Sequence, residues 1–329
     1  MAPLSHIAVL GAGAWGTALA LAAHRAGRKT TLWVREDDVL ACLKAGMENR
    51  FLPGVKFPAD LAVTGNLEEA CQAEALLLVV PAQVLHAFAG SVRRHLKPGR
   101  PVVICAKGIE KSSGKLVTEV AAEALPDTPL AILSGPSFAR DVAMGLPTAV
   151  TLAAPNGLAE PLQMSLGSAT FRPYASDDLT GVALGGAAKN VYAIACGVVE
   201  GMQLGENARA ALLARSFAEL SRFGEALGAK RETLMGLSGL GDLVLTATSK
   251  SSRNFSYGVA LGAGMEPGAA LAEGVETAPA LVQRAHAAGV ELPIAEAVAD
   301  LVTGALSPGE AVLRLLSRKV TVEWGIGEA

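Results

Sequence analysis

The sequence Ile7-Ala-Val-Leu-Gly-Ala-Gly-Ala-Trp-Gly16 lies near the start of the chain and continues as an alanine- and leucine-rich run to His24. The apolar residues before Gly11 predict a buried strand, and the run after Gly16 predicts a helix. Gly11 permits a tight turn, Gly13 lets backbone N–H groups approach a pyrophosphate, and Gly16 lets the helix pack closely on the strand. The helix N-terminus offers free donors and a positive dipole end. The stretch therefore predicts a dinucleotide-binding unit.

A secretory signal and a buried strand–turn–helix without a ligand are the alternatives for this stretch. No Lys or Arg precedes the apolar run, and glycines interrupt it where the core of a signal would be continuous. These features argue against a signal. The ligand-free unit remains open on these residues alone.

The composition indicates a soluble protein of two domains with a cleft between them. The chain has 329 residues, of which 51% are hydrophobic and 18% charged, with a net charge of −3. This charge gives no basic surface for nucleic acid, and no apolar run reaches the roughly 20 residues of a membrane span. Four cysteines and five histidines are scattered without metal-ligand spacing. We expect reduced thiols, no metal, no membrane insertion, a cytoplasmic location and an acid/base residue other than histidine.

Further apolar segments predict the strands of a doubly wound parallel sheet, with helical patterns between them. They cover residues 29–35, 75–80, 101–106, 148–153 and 170–174, with another strand ending at Leu133. Parallel sheets bind ligands at the carboxyl ends of their strands, so the turns after these strands should face one crevice. After Asp178 the pattern is helical. The sequence therefore predicts an α/β fold, with a dinucleotide-binding Rossmann-type domain at 1–177 and an all-helical substrate-binding domain at 178–329.

The end of the second predicted strand carries Arg35 followed by Glu36. In units of this type an acidic residue here takes the ribose hydroxyls of NAD, whereas an arginine holds the 2′-phosphate of NADP. We expect use of NADP or of both cofactors, with NADPH favoured. A solvated charge at a strand end is the alternative.

Three charged residues stand where a solvated face is not expected. Lys107 follows a wholly apolar strand, Lys189 lies among small residues of a helix, and Asp242 lies among glycines and leucines. A buried ammonium must be paired or must lower its pKa, and both suit a general acid/base. An exposed strand-end lysine and a surface lysine at a loosened turn are the alternatives. Arg253, at a polar helix start, can bind a phosphate, which suggests a small phosphorylated substrate.

Nine segments, in order along nearly the whole chain, resemble bacterial NAD(P)-dependent glycerol-3-phosphate dehydrogenase. They are Gly11-Ala-Gly-Ala-Trp-Gly-Thr-Ala-Leu-Ala, Asn49-Arg-Phe-Leu-Pro-Gly, Ala106-Lys-Gly-Ile-Glu, Ser134-Gly-Pro-Ser-Phe-Ala, Leu184-Gly-Gly-Ala-Ala-Lys-Asn-Val, Asn207-Ala-Arg-Ala-Ala-Leu, Gly236-Leu-Ser-Gly-Leu-Gly-Asp-Leu, Ser252-Arg-Asn and Glu273-Gly-Val-Glu-Thr-Ala. The resemblance implies reversible reduction of dihydroxyacetone phosphate to sn-glycerol 3-phosphate for glycerophospholipid synthesis, by a homodimer joined through the helical domain.

The resemblance also implies roles for single residues. Lys189 is the expected proton donor or acceptor at the C2 oxygen, and Lys107 is expected to contact both substrate and cofactor. The other expected substrate-binding residues are Gly135, Ser137, Asp242, Ser252, Arg253 and Asn254. The other cofactor-binding residues that the resemblance implies are Ala14, Trp15, Arg35, Ala139, Arg253, Leu271 and Glu273. Gly11, Gly13 and Gly16 are expected to bind the cofactor from the glycine loop itself. We add the hypothesis that Asp242 holds and tunes Lys189.

The chain departs from the family pattern at two places. Ala14 stands where the family commonly has serine, and Phe255-Ser256-Tyr257 stands where further arginines are usual. A related two-domain reductase acting on another phosphorylated or hydroxy-acid substrate is one alternative, although it has no evident need for Ser252-Arg253-Asn254. A non-catalytic dinucleotide sensor is another, although it need not keep Lys107, Lys189 and Asp242 together.

Overall fold

The computed structural model describes residues 3–155, 157–268 and 272–317. Strands and helices alternate in its first half, and its second half is helical. The strands are β1 (His6–Leu10), β2 (Lys29–Trp33), β3 (Ala62–Thr64), β4 (Ala75–Leu78), β5 (Val102–Ile104), β6 (Leu130–Ser134), β7 (Thr148–Ala153) and β8 (Phe171–Ser176).

The helices between the strands are mostly short, and those that follow β8 are on average longer. The first group comprises α1 (Ala14–Arg25), α2 (Asp37–Lys44), α3 (Leu67–Ala70), α4 (Leu85–Arg93), α5 (Val117–Ala124), α6 (Ala139–Ala143) and α7 (Ala159–Leu166), with a 3-10 turn at Ala82–Val84. The second comprises α8 (Leu179–Gly201), α9 (Glu206–Ala226), α10 (Arg231–Met235), α11 (Asp242–Thr248), α12 (Arg253–Gly262), α13 (Glu273–Ala287), α14 (Pro293–Val302) and α15 (Pro308–Leu316), with a π-helical turn at Leu237–Gly241.

All eight strands form one sheet in the order β3-β2-β1-β4-β5-β6-β7-β8. The first six keep the order of a dinucleotide-binding Rossmann sheet, which confirms the predicted fold class. One expectation needs correction, because β7 runs antiparallel to β6 while β8 runs parallel to β7. The connection from β6 contains only the short helix α6. The chain remains at the carboxyl edge of the sheet, from which the next strand runs back.

Two layers of helices bury the two faces of the sheet. Side chains of α1, α2, α6 and α7 pack in the core of one face. Side chains of α4, α5 and α8 pack in the core of the other. The central strands are therefore buried on both sides, which explains why their sequences are continuously apolar rather than alternating.

The long helix α8 forms the centre of the helical half, with residues 181–199 all buried. It is long and apolar enough to cross a membrane by length and composition, but its apolar window is wholly enclosed by the rest of the protein. It packs very closely on α12. A Cβ at Gly197 would lie 2.1 Å from the Phe255 carbonyl oxygen, and one at Gly258 would lie 2.1 Å from that of Ile194. Glycine at both positions lets the backbones approach, which brings the start of α12 beside the middle of α8.

Candidate active site

The candidate site lies where the carboxyl ends of the parallel strands meet the helical half. Lys107 follows β5, and Gly135 follows β6. Lys189 lies on α8, and Asp242 is the first residue of α11. The strand order reverses between β1 and β4, which is where sheets of this kind form their ligand crevice.

One carboxylate binds both lysines of the site. Lys189 Nζ donates to Asp242 Oδ1 at 2.6 Å, and Lys107 Nζ donates to Asp242 Oδ2 at 2.6 Å. The Thr246 hydroxyl lies 3.0 Å from Lys189 Nζ and donates to Asp242 Oδ1 at 3.2 Å. Lys107 also donates to the Gly135 carbonyl oxygen at 3.2 Å, which ties the cluster to β6. The structure therefore brings together the three charged residues singled out in the sequence, on three separate elements.

Burial sets the charge states of this cluster. Removal from water lowers the pKa of Lys189 from 10.5 to about 8, the Asp242 carboxylate acts against this shift, and the Lys107 ammonium adds to it. Burial by itself would raise the pKa of Asp242, but the two ammonium groups outweigh it, and the pKa of that carboxyl is lowered. At neutral pH Asp242 is therefore a carboxylate, and Lys189 is an ammonium whose pKa of about 8 brings its neutral form within reach.

The start of α12 forms the second part of the site. The buried Ser252 side chain caps the helix by accepting from Phe255 N at 3.2 Å. Asn254 Nδ2 donates to Asn190 Oδ1 at 2.9 Å, while Asn254 Oδ1 accepts from Gly274 N at 2.8 Å. These bonds join α12 to α8 and α13. Arg253, the first residue of α12, is exposed to solvent.

Glu273, at the start of α13, completes this region. Burial raises the pKa of its carboxyl, whereas Arg253, Lys189 and Lys107 act to lower it. Asn190 Nδ2 lies 3.5 Å from Glu273 Oε2. Asn190 and Thr246 have no role in the sequence-based hypothesis. The only signals for them are that Asn190 follows Lys189 and that Thr246 stands one helical turn after Asp242.

The glycine loop fits a dinucleotide. Gly11 has φ +122°, and a Cβ there would lie 2.3 Å from the Val79 carbonyl oxygen, so the turn requires glycine. At Gly13 a Cβ would meet nothing within 4 Å, so open space lies in front of the α1 N-terminus. In the described part of the chain no side chain caps α1, which leaves its first N–H groups for a ligand. Trp15 Nε1 is buried without a partner among the described residues.

The remaining predicted residues that the structure describes follow β1, β2 and β6 in the chain. Ala14 and Trp15, at the start of α1, and Ala139, at the start of α6, are partly buried and pack on the same core. Ser137 Oγ donates to the Gly135 carbonyl oxygen at 2.9 Å, beside Lys107. Arg35 lies apart from the lysine cluster, beyond the carboxyl end of β2, where Glu36 binds it. Leu271 lies outside the described residues.

The sheet has the nucleotide-binding Rossmann order, and two lysines share one aspartate at its crevice. Together these features define a nicotinamide-dependent oxidoreductase with a sheet half and a helical half. Family models for the N-terminus and C-terminus of NAD-dependent glycerol-3-phosphate dehydrogenase match residues 6–159 and 178–313. The chain belongs to this family. The predicted family, fold class, enzyme class and use of NAD or NADP are therefore confirmed.

Individual relatives agree over almost the whole chain. The glycerol-3-phosphate dehydrogenase [NAD(P)+] of Rhodospirillum rubrum is 55% identical over 98% of this chain and 95% of its own length. That of Afipia carboxidovorans is 53% identical over 98% of this chain and 100% of its own. The crystal structure of glycerol-3-phosphate dehydrogenase from Coxiella burnetii is 39% identical, with a TM-score of 0.90 over 96% of this chain and 99% of that one.

Proposed function

We propose that this chain interconverts dihydroxyacetone phosphate and sn-glycerol 3-phosphate, with Lys189 as the proton donor and acceptor at the C2 oxygen. The observation that carries the proposal is the buried Asp242 carboxylate, which binds Nζ of Lys189 and of Lys107 at 2.6 Å each. The choice of substrate rests on the names of the relatives, which are glycerol-3-phosphate dehydrogenase [NAD(P)+].

The chemistry requires a proton source at an oxygen that becomes negative. The nicotinamide, when bound, supplies the hydride for reduction. As charge develops on the C2 oxygen, the Lys189 ammonium stabilises it and gives up its proton, and a pKa of about 8 suits transfer in both directions. Lys107 adds a second positive charge. Asp242 orients both lysines, and its negative charge offsets the repulsion between their ammonium groups.

The phosphate of the substrate is assigned to the start of α12. The Ser252 and Asn254 side chains bond within the fold, so their part is to shape the helix start. The Arg253 guanidinium and the backbone N–H groups of the first turn then bind the phosphate. Gly135 and Ser137, beside Lys107, complete the substrate side. Gly11, Gly13, Ala14, Trp15, Gly16, Ala139, Leu271 and Glu273 are assigned to the cofactor.

The test is the initial rate of NADPH and NADH oxidation with dihydroxyacetone phosphate, for the wild type and for Lys189→Met. Methionine keeps the apolar stem and removes the ammonium, so we expect a loss of about 10²–10⁴-fold in kcat with cofactor binding retained. Lys97→Met, at an exposed lysine, is the control and should behave as wild type. Equal rates for Lys189→Met and wild type would refute the role of Lys189. A wild type that binds cofactor without turnover would favour another substrate or a sensor.

The cofactor preference, the metabolic role, the location and the oligomeric state are also proposals. We propose that NADPH is preferred because Arg35 stands at the ribose end, and that the product serves glycerophospholipid synthesis in the cytoplasm. We also propose a homodimer joined through the helical half. A division at 177/178 is supported by the chain leaving β8 at Ser176 and entering α8 at Leu179.

A further inference from the structure

The segment Asn49-Arg-Phe-Leu-Pro-Gly has no role in the proposed reaction, yet its first side chain touches the glycine loop. Asn49 is 2% exposed. Its Nδ2 donates to the Ala12 carbonyl oxygen at 2.8 Å and lies 2.7 Å from the Thr17 hydroxyl. Thr17 Oγ1 in turn lies 3.4 Å from the same carbonyl. A carbonyl in the middle of the nucleotide loop is therefore bound by a residue 37 positions away.

The direction of this carbonyl determines where the next N–H points. The peptide joining Ala12 to Gly13 is planar and trans, so its N–H points away from its C=O. With the Ala12 oxygen held on Asn49 and Thr17, the Gly13 N–H faces the opposite side, where Gly13 is exposed. Within residues 3–155, 157–268 and 272–317, no acceptor for this N–H is present. A free donor is thus directed into the space in front of α1.

The Asn49 amide is itself held rigidly. Its Oδ1 accepts from Phe51 N at 2.9 Å, and the Asn49 carbonyl accepts from Leu52 N at 2.8 Å, which closes a tight turn. Arg140 donates to the Pro53 carbonyl oxygen at 3.1 Å and fixes the far end of the segment. Both sides of the amide are therefore engaged, and rotation would break bonds at each.

We propose that Asn49 is a positioning residue for cofactor binding: its amide holds the Ala12 carbonyl inward, so that the Gly13 N–H is oriented toward the pyrophosphate. The amide also neutralises a carbonyl oxygen that would otherwise add negative potential beside an anion. The inference rests on the proposed nucleotide site but not on the identity of the substrate. Both NADH and NADPH carry the pyrophosphate, so Asn49 acts on them equally.

The test is isothermal titration calorimetry of Asn49→Ala with ADP-ribose, which contains the pyrophosphate and lacks the nicotinamide. We expect Kd to rise about tenfold, the effect of one lost oriented hydrogen bond. In initial-rate assays KM for NADH and for NADPH should rise by the same factor, while kcat and KM for dihydroxyacetone phosphate stay unchanged. Adenosine, which has no phosphate, should bind both proteins equally by saturation-transfer NMR.

Two further variants separate positioning from stability. Asn66→Ala removes the side chain that caps α3, so it lowers stability without touching the glycine loop, and its Kd for ADP-ribose should equal that of wild type. Asn49→Ser is a milder change whose hydroxyl is too short to replace the amide, and it should repeat the result. An unchanged Kd in both Asn49 variants, or an equal loss of adenosine binding, would overturn the inference. A wild type that binds ADP-ribose but does not reduce dihydroxyacetone phosphate would refute the proposed function and leave this inference intact.

Discussion

Asp242 is the residue whose charge determines when Lys189 can donate a proton. Reduction needs the ammonium and should slow as pH rises through about 8, whereas oxidation needs the neutral amine and should quicken over the same range. The carboxylate raises the pKa of Lys189, so Asp242→Asn should move both profiles to lower pH. It should also cost about 3–5 kcal/mol of stability, because the buried Lys189 ammonium loses its partner, as does the partly buried Lys107.

The measurement is kcat/KM against pH in both directions, with unfolding by urea alongside. Thr246→Val is the matched control, because it removes a hydroxyl bonded to the same two groups and leaves every charge in place. Its profile should stay near that of wild type. If the pH profiles of kcat/KM for Asp242→Asn and wild type superimposed, the hypothesis that Asp242 tunes Lys189 would be refuted.

The ion pair between Arg35 and Glu36 gives a second prediction at a single site. Arg35 donates through Nε at 3.0 Å and Nη2 at 2.7 Å to the same Glu36 oxygen, so a 2′-phosphate competes with this carboxylate for the guanidinium. Arg35→Ala should lower kcat/KM for NADPH by about 10–100-fold and change that for NADH little. Glu36→Gln should shift the ratio toward NADPH. Parallel changes for both cofactors would show that this pair does not select between them.

The sequence alone identified the site residues whose charge conflicts with their apolar neighbours in the chain. Lys189 among small residues and Asp242 among glycines both stand out, because an unpaired buried charge is costly. Their mutual contact was not predictable, since it depends on how α8 and α11 pack. Asn190, Thr246 and Asn49 carry no such conflict. Their parts follow only from bonds between elements that are distant in the sequence.

At the level of elements, apolar runs and turn residues predicted most of the strands and helices. The helix start at Ser252 follows from its side chain, which caps α12 as such residues do. The antiparallel direction of β7 could not be predicted from the sequence, because an apolar strand has the same pattern in either orientation. In the glycine-rich stretch before Asp242 the structure forms a π-helical turn, which follows α10.

Glu219 on α9 caps another helix and supplies a prediction about stability. Its carboxyl accepts from Ile294 N at 2.8 Å and Ala295 N at 3.4 Å, in the first turn of α14, and Tyr192 lies 3.4 Å away. Burial raises the pKa of Glu219 from 4.5 to about 7, although the two backbone bonds oppose this shift. The folded state therefore binds the proton more tightly, so this group's contribution is complete below pH 4.5 and is lost as pH rises through about 7.

Glu219→Gln keeps an acceptor for α14 and removes the titration. The stability of wild type relative to this variant should fall by about 3 kcal/mol between pH 4 and pH 8, measured by urea unfolding at both values. Glu225→Gln, at an exposed position of the same helix, should follow wild type at both. If Glu219→Gln also followed wild type at both, the carboxyl would not titrate in this range.

For the whole molecule, the sequence predicted two parts and a crevice but gave no surface for association. The helical half exposes large apolar side chains, with Leu204 42% and Val244 41% exposed. An open, mostly apolar groove on α9 is lined by alanines, Leu240 and one charged residue, Arg215. Exposed apolar area of this kind is typical of an interface. We therefore place the proposed homodimer contact on this face of α9.

Ala214→Arg should break such a dimer, because it adds a second bulky guanidinium beside Arg215 in the groove, where a partner copy would have to desolvate it against a like charge. Sedimentation velocity at micromolar concentration should give a dimer for wild type and a monomer for this variant, with the far-ultraviolet circular dichroism unchanged. Ala226→Arg adds the same charge at the exposed end of α9, outside the groove, and should remain dimeric. A monomeric wild type would contradict the proposed oligomer. A dimeric Ala214→Arg would move the contact to another face.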